Sequence, residues 1–360
     1  MKRGKLSILL VSVCLLLMLA ALPFISACAA PAPAPAPSPS PSPTPAKTIE
    51  LKIGHMQPPT HFIQALLEEW AKKVEEQTNG RVKSTVYPVA TLCPPPETYE
   101  ALATGIMDVG VAPDGYTPAR FTAQMFICES QTGSPSSAVS TRIRTELLGK
   151  FPIMLDEFKD SHVLWLTAHG PANVHSNFPV RSLADLKGKT LRSPPGGATD
   201  IMKALGANPV AMPMDETYIS IEKGIVDGLS VNDEVLKSWK LADVTGYTTI
   251  LHHYTGPFFC AMNLNTWNSL PPDVQAVITG LNDWGQQEMV KGWDMVDQEG
   301  RDYAKTQGHE FIEFTPDQLA EVYALLKPVH AGWAKNLEAK GMPGNEILQE
   351  LYRLVAEYTK

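Results

Sequence analysis

The sequence predicts an α/β protein of two lobes built on one plan and spanned by a long helix. Three observations carry this. Strand-like and helix-like stretches alternate closely through most of the chain, as in parallel sheets with crossover helices. The segment ETYEALATGIMDVG, beginning at Glu97, is matched at six of fourteen positions by ETYISIEKGIVDGL, which begins at Glu216, 119 residues later. A periodic stretch from Leu270 to Gly308 is longer than ordinary globular helices and too polar for a membrane. A brace running across two lobes explains it, with a coiled coil as the weaker alternative.

Targeting comes before fold. Lys2, Arg3 and Lys5 precede an apolar run from Leu6 to Leu22, which leads to Ile25, Ser26, Ala27 and Cys28. A basic start, an apolar core and small residues before a cleavage point describe an export signal. The four residues resemble the lipobox of bacterial lipoproteins, which implies removal of residues 1–27 and lipidation of Cys28. An uncleaved membrane anchor is the alternative, since the run approaches the length of a bilayer span. Either way the remainder is expected outside the cytoplasmic membrane. Residues 28–46 alternate proline with alanine, serine or threonine. Such a segment favours extended polyproline II and buries nothing, so it reads as a semi-rigid tether.

The body from residue 47 onward is long enough for two ordinary domains. Removing residues 1–27 removes three cations and no acids, so the formal charge moves from −8 to −11. That balance argues against nucleic acid and against an anionic membrane surface as partners. An anionic ligand would need a local site working against the overall field. Cys93, Cys128 and Cys260 remain after the signal and Cys28; none has metal-ligand spacing or a Cys-x-x-Cys pattern. One disulfide is possible in an exported protein, and buried free thiols are the expectation.

Ile49 to Ile53 reads as the first strand. Phe62, Leu66, Leu67, Trp70 and Val74 then fall on one helical face, stopped at Asn79-Gly80, and RVKSTVYP alternates as a strand does. In each copy of the duplicated segment a short helix follows Glu-Thr-Tyr, Gly105 or Gly224 ends it, and a strand starts at Asp108 or Asp227. SLADLKGKTLRSP gives a short helix, a turn and a strand ending in Arg192. A helix from about Thr199, a stop at Gly206 and the strand NPVAMP lead into the second copy.

The order of these pieces resembles the solute-binding proteins of the tripartite ATP-independent periplasmic (TRAP) transporters, dicarboxylate-receptor type. The matching residues are GRVKSTVYP, ETYEALATGIMDVG, DLKGKTLR, LGANPVAMPMDETYISIEKGIVDGL and MNLNTWNSLPPDVQAVI. The resemblance implies a two-lobe, periplasmic-binding-protein type II-like fold with a hinge and a long bracing helix. It assigns 47–168 with about 258–297 to one lobe and 169–257 with about 298–360 to the other. It implies capture of a small organic acid by hinge closure and delivery to a small and a large TRAP membrane subunit for ion-coupled uptake. A monomer, without cofactor or metal, in the periplasm or at the cell surface, is expected. A sensor lipoprotein feeding a membrane kinase is the alternative function.

In the family the arginine ending the DLKGxxxR strand, here Arg192, clamps the ligand's carboxylate, a task suited to paired guanidinium donors that stay charged when desolvated. The family often contacts ligand through an asparagine after the second repeat, here Asn232, although its offset in this chain is one residue longer. Sialic-acid receptors of the family carry a second arginine where this chain has Ala172, so a second carboxylate has no evident clamp; Asn173 is the polar candidate nearby. His55 with its neighbours Gly54 and Met56, and Asp114 and Tyr116 with Pro113, are expected to face the cleft from the other lobe. Phe258 and Phe259 would bring apolar walls; with Tyr116, Trp165 and Met212 they suit an apolar or aromatic acid, although such residues are commonly core. His252, His253, His169 and His175 could be read as metal ligands, but their surroundings favour satisfied or solvated histidines. No nucleophile elbow, phosphate loop or His-Glu-x-x-His is present, so an enzyme is not expected.

Overall fold

A computed structural model describes residues 48–359 apart from Ala90. The signal, Cys28 and the proline tether lie outside the described residues. The first sheet has strand order β2-β1-β3-β10-β4, from β1 (Ile49–His55), β2 (Val82–Tyr87), β3 (Val109–Pro113), β4 (Ser161–Ala168) and β10 (Pro257–Asn263). The second runs β7-β6-β8-β5-β9-β11. Its strands are β5 (Asn173–Ser176), β6 (Thr190–Ser193), β7 (Asn208–Ala211), β8 (Gly228–Val231), β9 (Tyr247–Ile250) and β11 (Glu310–Glu313). In each, a strand lies parallel between two others, and an antiparallel strand joins beyond (β10 on β3, β5 on β8). The two sheets repeat one topology.

The duplicated sequence is a duplicated device. Helices Thr98–Ala103 and Thr217–Glu222 end at Gly105 and Gly224, whose φ of 81° and 69° lie in the left-handed region that glycine enters without cost. The aspartate that follows grips the neighbouring strand. Asp108 Oδ2 accepts from Lys52 N at 2.8 Å, and Asp227 Oδ2 accepts from Thr190 N at 2.9 Å. Each aspartate's own N–H donates back to that same residue's carbonyl, at 2.8 and 2.7 Å. Glycine and aspartate recur because each locks one strand to the next.

Chain crossings between the sheets run from Ala168 to Asn173 and from Ile250 to Pro257. They lie side by side, with Ala172 N donating to Tyr254 O at 2.8 Å and His169 N to Gly256 O at 3.0 Å. The expected brace is present but broken. It divides at Leu281, whose N–H turns back to Ile278 O at 3.0 Å, into helices Pro272–Gly280 and Asn282–Thr306. The longer one ties both lobes within a single turn. Asp294 Oδ1 accepts from Ser137 N at 2.7 Å in the first, and Asp297 Oδ1 accepts from Asn232 Nδ2 at 2.7 Å in the second.

Assignment of residues 298–360 to the second lobe fails for the last helix, Gly344–Tyr358. Its apolar face, Ile347, Leu348, Leu351 and Leu354, packs into the cluster of Phe126, Ile143 and Leu147 belonging to the first. Helix Pro316–Ala339 packs Val322 and Leu326 against the second lobe and Ala334 and Leu337 against the first. Cys93, Cys128 and Cys260 are free thiols, the last two buried. Among the described residues no helix is long and apolar enough to cross a membrane.

Candidate functional site

Four strands, β1, β3, β6 and β8, direct their carboxyl ends at one cavity between the sheets, where open α/β sheets bind ligands. Met56 and Gln57 follow β1; Gly115 and Tyr116 follow β3; Arg192 ends β6; Val231, Asn232 and Glu234 end or follow β8. Tyr254 and Gly256 reach it from a crossing segment, and Trp293 from the long helix.

Arg192 is 1% exposed. Its Nε donates to the carbonyl of Met212 at 2.9 Å, the Tyr116 hydroxyl lies near its guanidinium, and among the described residues the buried Nη1 has no hydrogen-bond partner. Burial pulls its pKa below the usual arginine value, against the pull of Tyr116, Tyr254 and Asp215, yet a guanidinium keeps its charge. Arg144 is also fully buried, but it forms an ion pair with Asp114 at 2.5 Å and donates to Gln124 Oε1, Thr167 O and Phe258 O. One buried arginine is saturated by protein. The other lies on a cavity with a donor unspent.

The surroundings of Arg192 are aromatic and polar by turns. Phe258 meets Trp293 at 4.8 Å between ring centroids, and His169 stands 6.1 Å from each of them. Burial lowers the His169 pKa to about 4, so the ring is neutral at pH 7, its Nδ1 bonded to Gly170 O at 2.6 Å. Glu129, at the end of helix Thr122–Glu129, is raised to about 8 by burial although N–H groups of Ala198 and Gly197 oppose the shift. A carboxyl protonated at neutral pH leaves the Arg192 charge uncancelled. Gln57 Oε1 accepts from Trp239 Nε1 at 3.2 Å across the cleft.

Of the residues read from sequence, Arg192, Asn232, Tyr116 and Phe258 line the cavity together. Four others do not. Asn173 is buried with its amide consumed: Nδ2 donates to Asp233 at 2.8 Å, and Oδ1 accepts from Leu251 N and His252 N. His55 turns to Gln64 Oε1 at 2.7 Å and borders a separate hollow of about 210 Å³. Asp114 is the partner of Arg144, raised to about 6 by burial despite that neighbour, and it holds the backbone leading to Tyr116. Met212 contributes its carbonyl to Arg192, while Met214 supplies the side chain that faces the cavity. Trp165 and Phe259 are core. His175 bonds Thr248 and Val231, and His253 bonds Ser230. Among the described residues no group of three His, Cys, Asp or Glu is arranged to hold a metal ion. Sequence reasoning overlooked Glu129, Glu234, Trp239, Tyr254 and Trp293 as cavity residues. Glu234 alone carried a signal, two places after Asn232.

A two-lobed α/β protein with a buried, unsatisfied cation between its lobes is a solute-binding receptor. Over residues 53–336 the chain matches the model of bacterial extracellular solute-binding protein, family 7 (DctP), and it belongs to that family. A marine metagenome TRAP solute binding protein specific for aromatic acid ligands, in complex with metahydroxyphenylacetate, is 26% identical, with a TM-score of 0.79 over 87% of this chain and 100% of that one. A TRAP solute binding protein from Rhodoferax ferrireducens with copurified benzoate is 26% identical, with a TM-score of 0.79 over 87% and 99%. A TRAP protein from Desulfovibrio salexigens, an open complex, is 30% identical with a TM-score of 0.71 over 86% and 96%. The chain is thus an extracytoplasmic receptor of the TRAP class, a family defined by solute binding rather than catalysis. These relatives' descriptions give no support to the signalling alternative.

Proposed function

We propose that the cavity takes a small aromatic or apolar monocarboxylic acid, its carboxylate clamped by Arg192. The buried Nη1 without a partner carries this reading, since an unpaired buried donor is costly and a carboxylate satisfies it. Ala172 offers no second cation, and Phe258, Trp293, Tyr254 and Met214 form walls suited to a ring. Two relatives of similar fold hold aromatic acids, which supports the same class here.

The lobes close on the acid about the paired crossings at 169–172 and 251–256, and the closed receptor docks on a small and a large TRAP membrane subunit. Tyr116 to Met214, Gln57 to Trp239 and Glu129 to Gly197 all join the lobes, as in a closed form. The better agreement with acid-bound relatives than with the open complex, despite lower identity, favours the same state. Lipidation at Cys28 holds the receptor to the membrane through the proline tether, and Cys28→Ser is expected to release it from the membrane fraction or to retain an uncleaved signal. Incorporation of labelled palmitate into that variant at the wild-type level would remove the anchor.

A thermal-shift and calorimetric panel of organic acids tests the ligand class. An aromatic monocarboxylate at one hundred times its dissociation constant is expected to add about 2.7 kcal/mol of stability. Binding of C4-dicarboxylates to the exclusion of monocarboxylates would overturn the class.

A further inference from the structure

Arg192 accounts for one end of a ligand, and the cavity contains a second charged group left unsatisfied. Glu234 is 3% exposed and lines the same cavity. Arg192 stands opposite Leu229 in the β6–β8 register, and Glu234 follows five residues after Leu229, past the end of β8 at Val231. The main chain there is pinned. Glu234 N donates to Asp297 Oδ1 at 2.9 Å, and Asp233 is held by Arg301 and Asn173, both at 2.8 Å. The side chain is not. Among the described residues the buried Glu234 Oε2 has no hydrogen-bond partner, and His61 Nε2, facing it from the other lobe at 3.5 Å, is equally without one.

His61 cannot come closer freely. Its Nδ1 accepts from Ile63 N at 3.3 Å, capping helix Phe62–Gln77, and its ring lies 5.5 Å from that of Trp293. With Nδ1 as acceptor, a neutral ring carries its proton on Nε2, directed at the carboxylate. One long contact leaves most of the acceptor capacity of a carboxylate unused, and a buried acceptor in that condition calls for a donor.

We infer that Glu234 is the second ligand anchor, accepting a hydrogen bond from a hydroxyl group carried on the acid away from its carboxylate. The inference rests on the proposed capture of a monocarboxylate by Arg192. Phe258, Trp293 and Tyr254 line the cavity together with both anchors, which makes a hydroxylated aromatic acid the class that suits it. Matched pairs test it by calorimetry: benzoate with 3-hydroxybenzoate, phenylacetate with 3-hydroxyphenylacetate, and hexanoate with 6-hydroxyhexanoate. The hydroxylated aromatic members are expected to bind about tenfold more tightly, the effect of one hydrogen bond to a charged acceptor. Glu234→Gln is expected to bring that ratio towards one, because a neutral amide oxygen is a weaker acceptor than a carboxylate. Equal affinity within each pair in the wild type, an unchanged ratio in the variant, or equal weakening of both members would overturn the inference. Should Glu234→Gln not fold, the wild-type ratio alone decides. Binding of the aliphatic pair alone would remove the aromatic reading and leave the Glu234 contrast to be read from that pair. Binding of none would overturn both.

Discussion

Tyr116 Oη accepts a hydrogen bond from Met214 N at 3.0 Å, joining the end of β3 in one lobe to the segment after β7 in the other. The same residue lines the cavity beside Arg192, so it stands next to the cation and between the lobes together. Tyr116→Phe removes only the oxygen. Binding is expected to weaken by about tenfold, the value of one such bond, while the ligand-free fold keeps its stability. Small-angle scattering should report a larger open fraction in the variant at equal ligand saturation. Wild-type affinity and closure would deny the hydroxyl this role.

The two buried arginines should respond in opposite ways. Removing Arg144 strands Asp114 as an uncompensated charge in the core, so Arg144→Met is expected to cost about 3–5 kcal/mol in urea unfolding. Among the described residues Arg192 forms no ion pair, so Arg192→Met should leave the ligand-free fold intact yet weaken acid binding by at least about a hundredfold. Arg192→Lys keeps charge but loses the planar pair of donors, and about tenfold is expected. Collapse of ligand-free Arg192→Met would make that arginine structural.

The two-lobed plan was legible because its signal is local and repeated: a glycine that must turn left-handed and an aspartate that must catch the next strand. The position of Arg192 at a strand's carboxyl end was legible from the short turn before it, whereas its part in binding was implied only by the family resemblance. The partners of a side chain are another matter. Asn173 sits where a ligand contact would be useful, but its amide oxygen is taken by Leu251 N, 78 residues away, and no local pattern announces that bond. Trp293 and Glu129 reach the cavity from helices whose inward faces are chosen by packing against distant elements. Met212 and Met214 differ only in how the chain turns after β7, which alternation along a strand does not determine.

Glu129 gives a pH dependence of defined sign. Its carboxyl rises from an ordinary 4.5 to about 8 on burial, so the native state holds an extra proton between those values. Stability from this group is complete below the unfolded value and is lost as pH rises towards the native one. Glu129→Gln cannot ionise and retains an oxygen for the N–H groups of Gly197 and Ala198. The variant's melting temperature relative to wild type should therefore rise between about pH 5 and about pH 8.5. A difference independent of pH would show that Glu129 titrates normally.

Gly197 separates closure from folding. Its φ of −69° and ψ of −21° are helical, a conformation alanine adopts freely, so the backbone has no need of glycine. Space does. A Cβ there would strike Glu129 Oε2 in the other lobe and come within 2.6 Å of Trp333 Cζ2. An open receptor that draws Glu129 away relieves the first of these contacts, and a closed one does not. Gly197→Ala also narrows the unfolded ensemble, which contributes roughly 0.4–1 kcal/mol where the native site accepts the residue. The Trp333 contact remains in both states, so ligand-free stability is expected to fall by no more than that contact costs, while affinity for the bound acid falls by about tenfold or more, the mark of a penalty of at least 1.4 kcal/mol on the closed form. Unfolding of the apo protein and calorimetry on the same sample measure both quantities. A fall in stability with unchanged affinity would mean that the Gly197–Glu129 contact belongs to the fold in every state, and that the lobes part elsewhere.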